Sequence, residues 1–131
     1  MTKEEIKRAR EENQERLKSA VANKISRATG EPFVYEFKFA KPQRAWRSDI
    51  AFPTVKVAIE IQGGNWLYGR HCNPASLPSE YEKQNGYCVR GWYCLYADWS
   101  MFATDSFAQQ VIDTIKARQG ETYGQAILQF I

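Results

Sequence analysis

Val55-Lys56-Val57-Ala58-Ile59-Glu60-Ile61-Gln62-Gly63-Gly64 is the stretch on which the fold turns. Val55, Val57, Ile59 and Ile61 fall on one face. Lys56, Ala58, Glu60 and Gln62 fall on the other, the period of two that a half-buried strand requires. A carboxylate in the middle of such a strand is costly unless something pairs with it. Asp49 lies eleven residues upstream, and a divalent metal shared by Asp49 and Glu60 is the expected partner.

Working outward, residues 3 to about 28 read as a helix, with Thr2 and Glu5 forming a capping box and Gly30 at the far end. Its apolar stripe is Leu17, Val21, Ile25 and Ala28; the half before it is charged and reads as a solvated extension over residues 1–16. Phe33 to Ala40 alternates as a first strand, Lys41-Pro42-Gln43 is a loop, and Arg44 to Phe52 is a second strand turning through Pro53-Thr54. After a loop from Gly63 to Leu77, Pro78 opens a helix over Ser79–Arg90 that Gly91 ends and Gly86 threatens to break. Trp92 to Ala97 is a fourth strand. Thr104 or Asp105 caps a last helix carrying Phe107, Val111 and Ile115. The expected architecture is α/β (α+β): a single domain over 1–131 with a mixed central sheet flanked by helices.

Composition narrows the class. A chain of 131 residues holds one core, and 14% aromatic content suits a globular domain. No run approaches the roughly 18 apolar residues of a membrane span, so no membrane partner is expected and the expected location is cytoplasmic. Cys72, Cys88 and Cys94 form no CxxC pair and read as free, partly buried thiols. A net charge of +3 permits a nucleic-acid partner without requiring one.

If the second and third strands pair tightly about Pro53-Thr54, Asp49 faces Ala58 and Glu60 is its diagonal neighbour, roughly 7–8 Å away. That separation suits two carboxylates converging on one Mg²⁺ or Mn²⁺, with the Ile61 carbonyl as a further oxygen. A slip of one residue would put the two acids on opposite faces. The competing reading has Asp49 capping a strand end and Glu60 pairing with Lys38 or Arg47.

Asp49, ten intervening residues and Glu60-x-Gln62 resemble the core of the PD-(D/E)XK nuclease superfamily. Trp46-Arg47-Ser48-Asp49, Glu60-Ile61-Gln62-Gly63-Gly64, Gly69-Arg70-His71, Glu82-Lys83-x-Asn85 and Gly91-Trp92 are similar, more narrowly, to small phage and prophage nucleases akin to very-short-patch-repair endonucleases. The resemblance covers roughly residues 33 to 98. It implies a restriction-endonuclease-like fold and metal-dependent cleavage of DNA, in the host cytoplasm if the chain is phage-encoded. Asp49 and Glu60 would then hold the metal beside the Ile61 carbonyl. Gln62 stands where that pattern has lysine, so it can position a water or a phosphate oxygen but supplies no charge. Lys83 on the following helix and Arg70 and His71 in the loop are the candidates for the missing cation, with His71 also a candidate general acid. The ordinary alternative for Lys83 is surface pairing with Glu80 or Glu82. Glu36 is a weaker site candidate, read first as a partner for Arg47.

Lys38, Lys41, Arg44 and Arg47 cluster around the first hairpin with Trp46 among them, a composition suited to a phosphate backbone and an unstacked base. Trp66 and Tyr68 suit insertion into a distorted duplex, with core packing as the alternative. Trp92 and Trp99 read as core. The leading functional reading is an endonuclease hydrolysing DNA phosphodiester bonds; the alternative is a non-catalytic DNA-binding or scaffold protein on the same fold. The apolar tail of Tyr123, Ile127, Leu128, Phe130 and Ile131 reads as cover for the core, with a homodimer surface as its alternative.

Overall fold

The structure is a computed structural model that describes residues 1–63 and 77–128, and the side chains among them except Leu77 and 122–128. Chain order runs α1 (Lys3–Thr29), β1 (Val34–Phe37), β2 (Ser48–Phe52), β3 (Val57–Gln62), α2 (Leu77–Val89), β4 (Tyr93–Asp98), α3 (Trp99–Phe102) and α4 (Asp105–Leu128). The strands form one mixed sheet in the order β1-β2-β3-β4, antiparallel across the first two pairings and parallel across the third. α2 is the crossover that a parallel β3–β4 pair requires.

Both faces of this sheet are covered, so β3 is more enclosed than a half-buried strand. Ile50, Phe52, Val57 and Ile59 pack against Val21, Ala22 and Ile25 of α1 and Phe107, Ala108, Val111, Ile112 and Ile115 of α4. On the other face Ala51 and Ala58 lie under Phe39, Ala40, Tyr87 and Trp92. Trp99 packs against the first cluster.

Local chemistry sets the element ends. Thr2 and Glu5 form the capping box of α1, and Gly30 closes it in the left-handed region at φ 78°. The buried stripe of α1 takes Ala22, while Ala28 is exposed. The charged first half of α1 is almost wholly exposed. The first two strands are shorter than alternation predicts. Phe39 and Ala40 leave the ladder to cover the second face, so their burial mimics a strand pattern without strand pairing. Gly86 does not break α2: a Cβ there would lie 2.6 Å from Trp46 Cζ3, so the glycine is a contact point for the indole. Asp98 caps the short α3, accepting from Met101 N–H at 2.8 Å, and the Thr104 hydroxyl accepts from Phe107 N–H near the start of α4. Alternation ending at Ala97 gave no sign of α3. No helix among the described residues is long and apolar enough to cross a membrane.

Candidate active site

Strand register decides whether the two acids meet. β2 and β3 pair as Ile50↔Ile59, Ala51↔Ala58 and Phe52↔Val57. Continuing this register sets Asp49 against Glu60, two positions from the expected pairing with Ala58. The reason is the connection. Four residues, Pro53 to Lys56, join the strands, closed by Val55 N–H to Phe52 O at 3.2 Å and Lys56 N–H to Pro53 O at 3.3 Å, with Lys56 at φ 55°. A shift of two positions preserves the face. It replaces a diagonal relation with a direct one, for which Cβ atoms lie about 4.5–5.5 Å apart.

Each carboxylate is held by a different device. Asp49 Oδ2 accepts the Ile61 N–H at 2.6 Å, so a side chain fills the place of a ladder partner at the end of β2. For Ile61, then, it is the amide that touches Asp49. Glu60 Oε1 accepts from Tyr87 OH at 2.6 Å and lies 2.7 Å from Lys83 Nζ. The Tyr87 proton being engaged, the Ser48 hydroxyl donates to Tyr87 at 2.8 Å, which satisfies a fully buried serine. Lys83 and Tyr87 sit four residues apart on α2 and so share one helix face.

Electrostatics follow from this enclosure. The Glu60 side chain is only 13% exposed, and burial raises its pKa above the ordinary 4.5. Hydrogen bonds from Lys83 and Tyr87 pull it back down, and the charge of Asp49 adds a smaller upward push. Tyr87 is driven above its ordinary value, first by burial and then by the charges around it. Burial pushes the Cys94 thiol up to about 12. Cys94 and Cys88 are free; Cys88, expected to be partly buried, is exposed on α2.

The other expected site residues divide clearly. Gln62 follows Glu60 by two positions, on the same face, and pairs with Asp98 across the parallel ladder. Lys83 meets Glu60, while Glu82 pairs with Arg44. Neither Lys38 nor Arg47 reaches Glu60. Glu36 is a correction: it takes φ 50°, which breaks simple alternation, and pairs at 3.5 Å with Lys18 of α1, not with Arg47. Trp46 stacks on Phe39 at 6.1 Å, with the Arg44 guanidinium 4.9 Å from its ring. Arg47 and Lys41 are exposed. Arg70, His71, Trp66, Tyr68 and Cys72 lie outside the described residues, as do Phe130, Ile131 and the side chains of Tyr123, Ile127 and Leu128.

Two members of the site carried no role in the sequence reading. Tyr87 had a readable signal, its i+4 spacing from Lys83; Ser48 had none beyond preceding Asp49. Among the described residues no three His, Cys, Asp or Glu side chains converge as a metal-ligating group. The carboxylate pair nonetheless fits a hard cation that takes few protein oxygens and keeps its waters. Among the described residues, hydrogen bonds reach Asp49 through Oδ2 and Glu60 through Oε1. Comparison with family models, curated proteins and solved structures finds no match.

Proposed function

We propose that this chain is a metal-dependent endonuclease that hydrolyses DNA phosphodiester bonds, of the kind used in phage recombination, repair or DNA processing. The observation that carries the reading is the nearness of the two acids: Asp49 accepts the amide of Ile61, the residue after Glu60, its charge acts on Glu60, and the Lys83 ammonium lies 2.7 Å from Glu60. Asp49 and Glu60 would hold Mg²⁺ or Mn²⁺. When bound, such an ion polarises the phosphorus centre and lowers the pKa of its water.

The chain's own groups do the positioning. The Ile61 amide fixes Asp49, and the Ser48–Tyr87 pair fixes Glu60, so both acids are oriented before substrate arrives. Lys83 supplies beside the acids the positive charge that Gln62 lacks, suited to charge developing on phosphate oxygens. Gln62 adds a neutral amide that donates and accepts on the same face.

The test is cleavage of labelled linear, nicked, branched and mismatched DNAs with Mg²⁺ or Mn²⁺ by the wild type and by Asp49→Ala and Glu60→Ala. Metal-dependent cleavage lost in both variants supports the reading; equal cleavage by all three sinks it. One observation favours a second reading, a DNA-binding scaffold without catalysis. Lys83 already compensates Glu60, so the fold does not need an ion to tolerate that buried carboxylate. Calorimetric titration with Mn²⁺ separates the two, because only the nuclease requires binding that Asp49→Ala removes.

A further inference from the structure

A cleft lies on the α2-bearing side of the sheet, at the β2–β3 connection. It has a volume of about 610 Å³ and is bounded by Phe37, Phe39, Pro53 and Trp92 with four cations, Lys38, Lys41, Lys56 and Arg90. No carboxylate lines it, and among the described residues none lies within ion-pair distance of any of the four. In a chain whose formal charge is only +3, this is a marked separation of sign.

The cations come from three separate parts of the chain. Lys38 and Lys41 flank the buried Phe39 and Ala40, so the crossing segment that roofs the aromatic cluster also presents both lysines outward. Lys56 donates to Arg90 O at 3.3 Å, which uses one of its three donors and neutralises the carbonyl end of α2. Arg90 donates one guanidinium N–H to Gly86 O at 3.1 Å and lies 6.0 Å from the Trp46 ring. Among the described residues, the remaining donors of Lys56 and Arg90 and both crossing-segment lysines have no acidic partner.

We propose that this cleft is a phosphate-backbone footing for duplex DNA, separate from the carboxylate pair. The proposal rests on the nuclease reading for the identity of the polyanion. Val57, next to Lys56, precedes Glu60 by three residues, or about 10 Å along the strand. That distance is about three base-pair rises of 3.4 Å, so a duplex seated here would be held a few base pairs from the site of cleavage. Contacts of this kind fix position without reading sequence.

The experiment measures binding of a short fluorescein-labelled duplex to the full-length chain by anisotropy, in EDTA so that cleavage plays no part, across a range of KCl concentrations. The variants are the pair Lys38→Gln/Lys41→Gln and the single Lys56→Gln, all exposed positions. The control is Lys3→Gln/Lys7→Gln on the solvated start of α1. Each lost phosphate contact should flatten the slope of log affinity against log salt by about 0.9, hence about 1.8 for the pair, with the control unchanged. Three results would overturn the proposal: no duplex binding by the wild type in EDTA, no flattening in the pair, or equal flattening in the control. Polyglutamate at matched charge displacing the duplex as well as unlabelled DNA does would move the site to an acidic protein, and tighter binding of duplex RNA would move it to RNA. Both also overturn it. Since metal is absent throughout, a negative result here leaves the cleavage test of Asp49 and Glu60 standing, and a failed cleavage test leaves this one standing.

Discussion

The two faces of the sheet are both buried under apolar groups, yet the bulk that fills them comes from different places. On the face toward α1 and α4 the strands present Ile50, Phe52, Val57 and Ile59, large apolar side chains that are fully enclosed. On the other face the same strands present Ala51 and Ala58, and the bulk comes from Phe39 and Tyr87, stacked at 3.8 Å, and from Trp92. Small strand residues bring these rings close to the backbone, and the rings carry a hydroxyl to the Glu60 carboxylate. One face thus stores stability, while the other spends some of it to hold two acids, a lysine and a serine in fixed positions.

The sharpest way to break this contrast is to substitute on each face and ask which property fails. Asp49→Ala is expected to reduce metal-dependent cleavage by about a thousandfold or more, as removal of several kcal/mol of metal-derived stabilisation requires. Its thermal unfolding midpoint should stay close to that of the wild type, because Asp49 is only partly buried and bonds a single amide. Phe52→Ala should do the reverse, costing about 3–5 kcal/mol of stability through the cavity it leaves. If Asp49→Ala unfolds the protein while Phe52→Ala spares it, the division of labour is wrong.

Gly86→Ala tests how tightly the second face is built. Alanine favours a helix interior over glycine by about 1 kcal/mol. Here its Cβ would fall 2.6 Å from Trp46 Cζ3, and displacing a packed indole costs about 1–3 kcal/mol. Net destabilisation in denaturant melts is the expected outcome. A more stable variant would mean that Trp46 moves freely and that the Arg44 and Arg90 contacts to its ring do little.

Glu60 gives the comparison a pH axis. Its folded pKa stands above the unfolded 4.5, so the protonated form is favoured by folding. The associated stability is present below about pH 4.5 and is lost as pH rises through the folded value. The wild-type minus Glu60→Gln difference isolates the carboxylate. The wild type should lose stability relative to the variant as pH climbs, read from urea midpoints. Mn²⁺ affinity should move the opposite way, rising with pH as Glu60 ionises. A flat difference curve would show that Lys83 and Tyr87 fully cancel the burial.

Legibility in the sequence follows the same division. Alternation in β3 and the spacing to Asp49 were enough to place both acids on one face, because face depends only on parity. Their separation was not readable, since it depends on whether Pro53 to Lys56 makes a two-residue or a four-residue connection. Helix ends at Thr2, Gly30, Thr104 and Gly91 were readable because caps are local. The lengths of β1 and β2 were not, because Phe39 and Ala40 are buried by crossing the sheet and not by joining it. Lys83 was found through resemblance. Tyr87 and Ser48 belong to a network that exists only once α2 lies over the strands, and the positive φ of Glu36 has no signal in composition.

The smallest expected effect concerns Gln62, and it turns on whether Lys83 already supplies the charge missing from that position. Gln62 lies on the Glu60 face, two residues along the same strand, and Lys83 reaches that face from α2. If the two positions serve one need, Gln62→Lys in the wild-type background should change cleavage by no more than about threefold, less than 1 kcal/mol of barrier. Lys83→Ala should lower cleavage by more, because it leaves Glu60 buried without its cation. The double variant should then recover most of that loss, as the new lysine restores an ion pair to Glu60. Additive losses in the double variant would mean instead that charge must arrive from the helix, at the position of Lys83, and that the strand position serves only to hold a neutral donor.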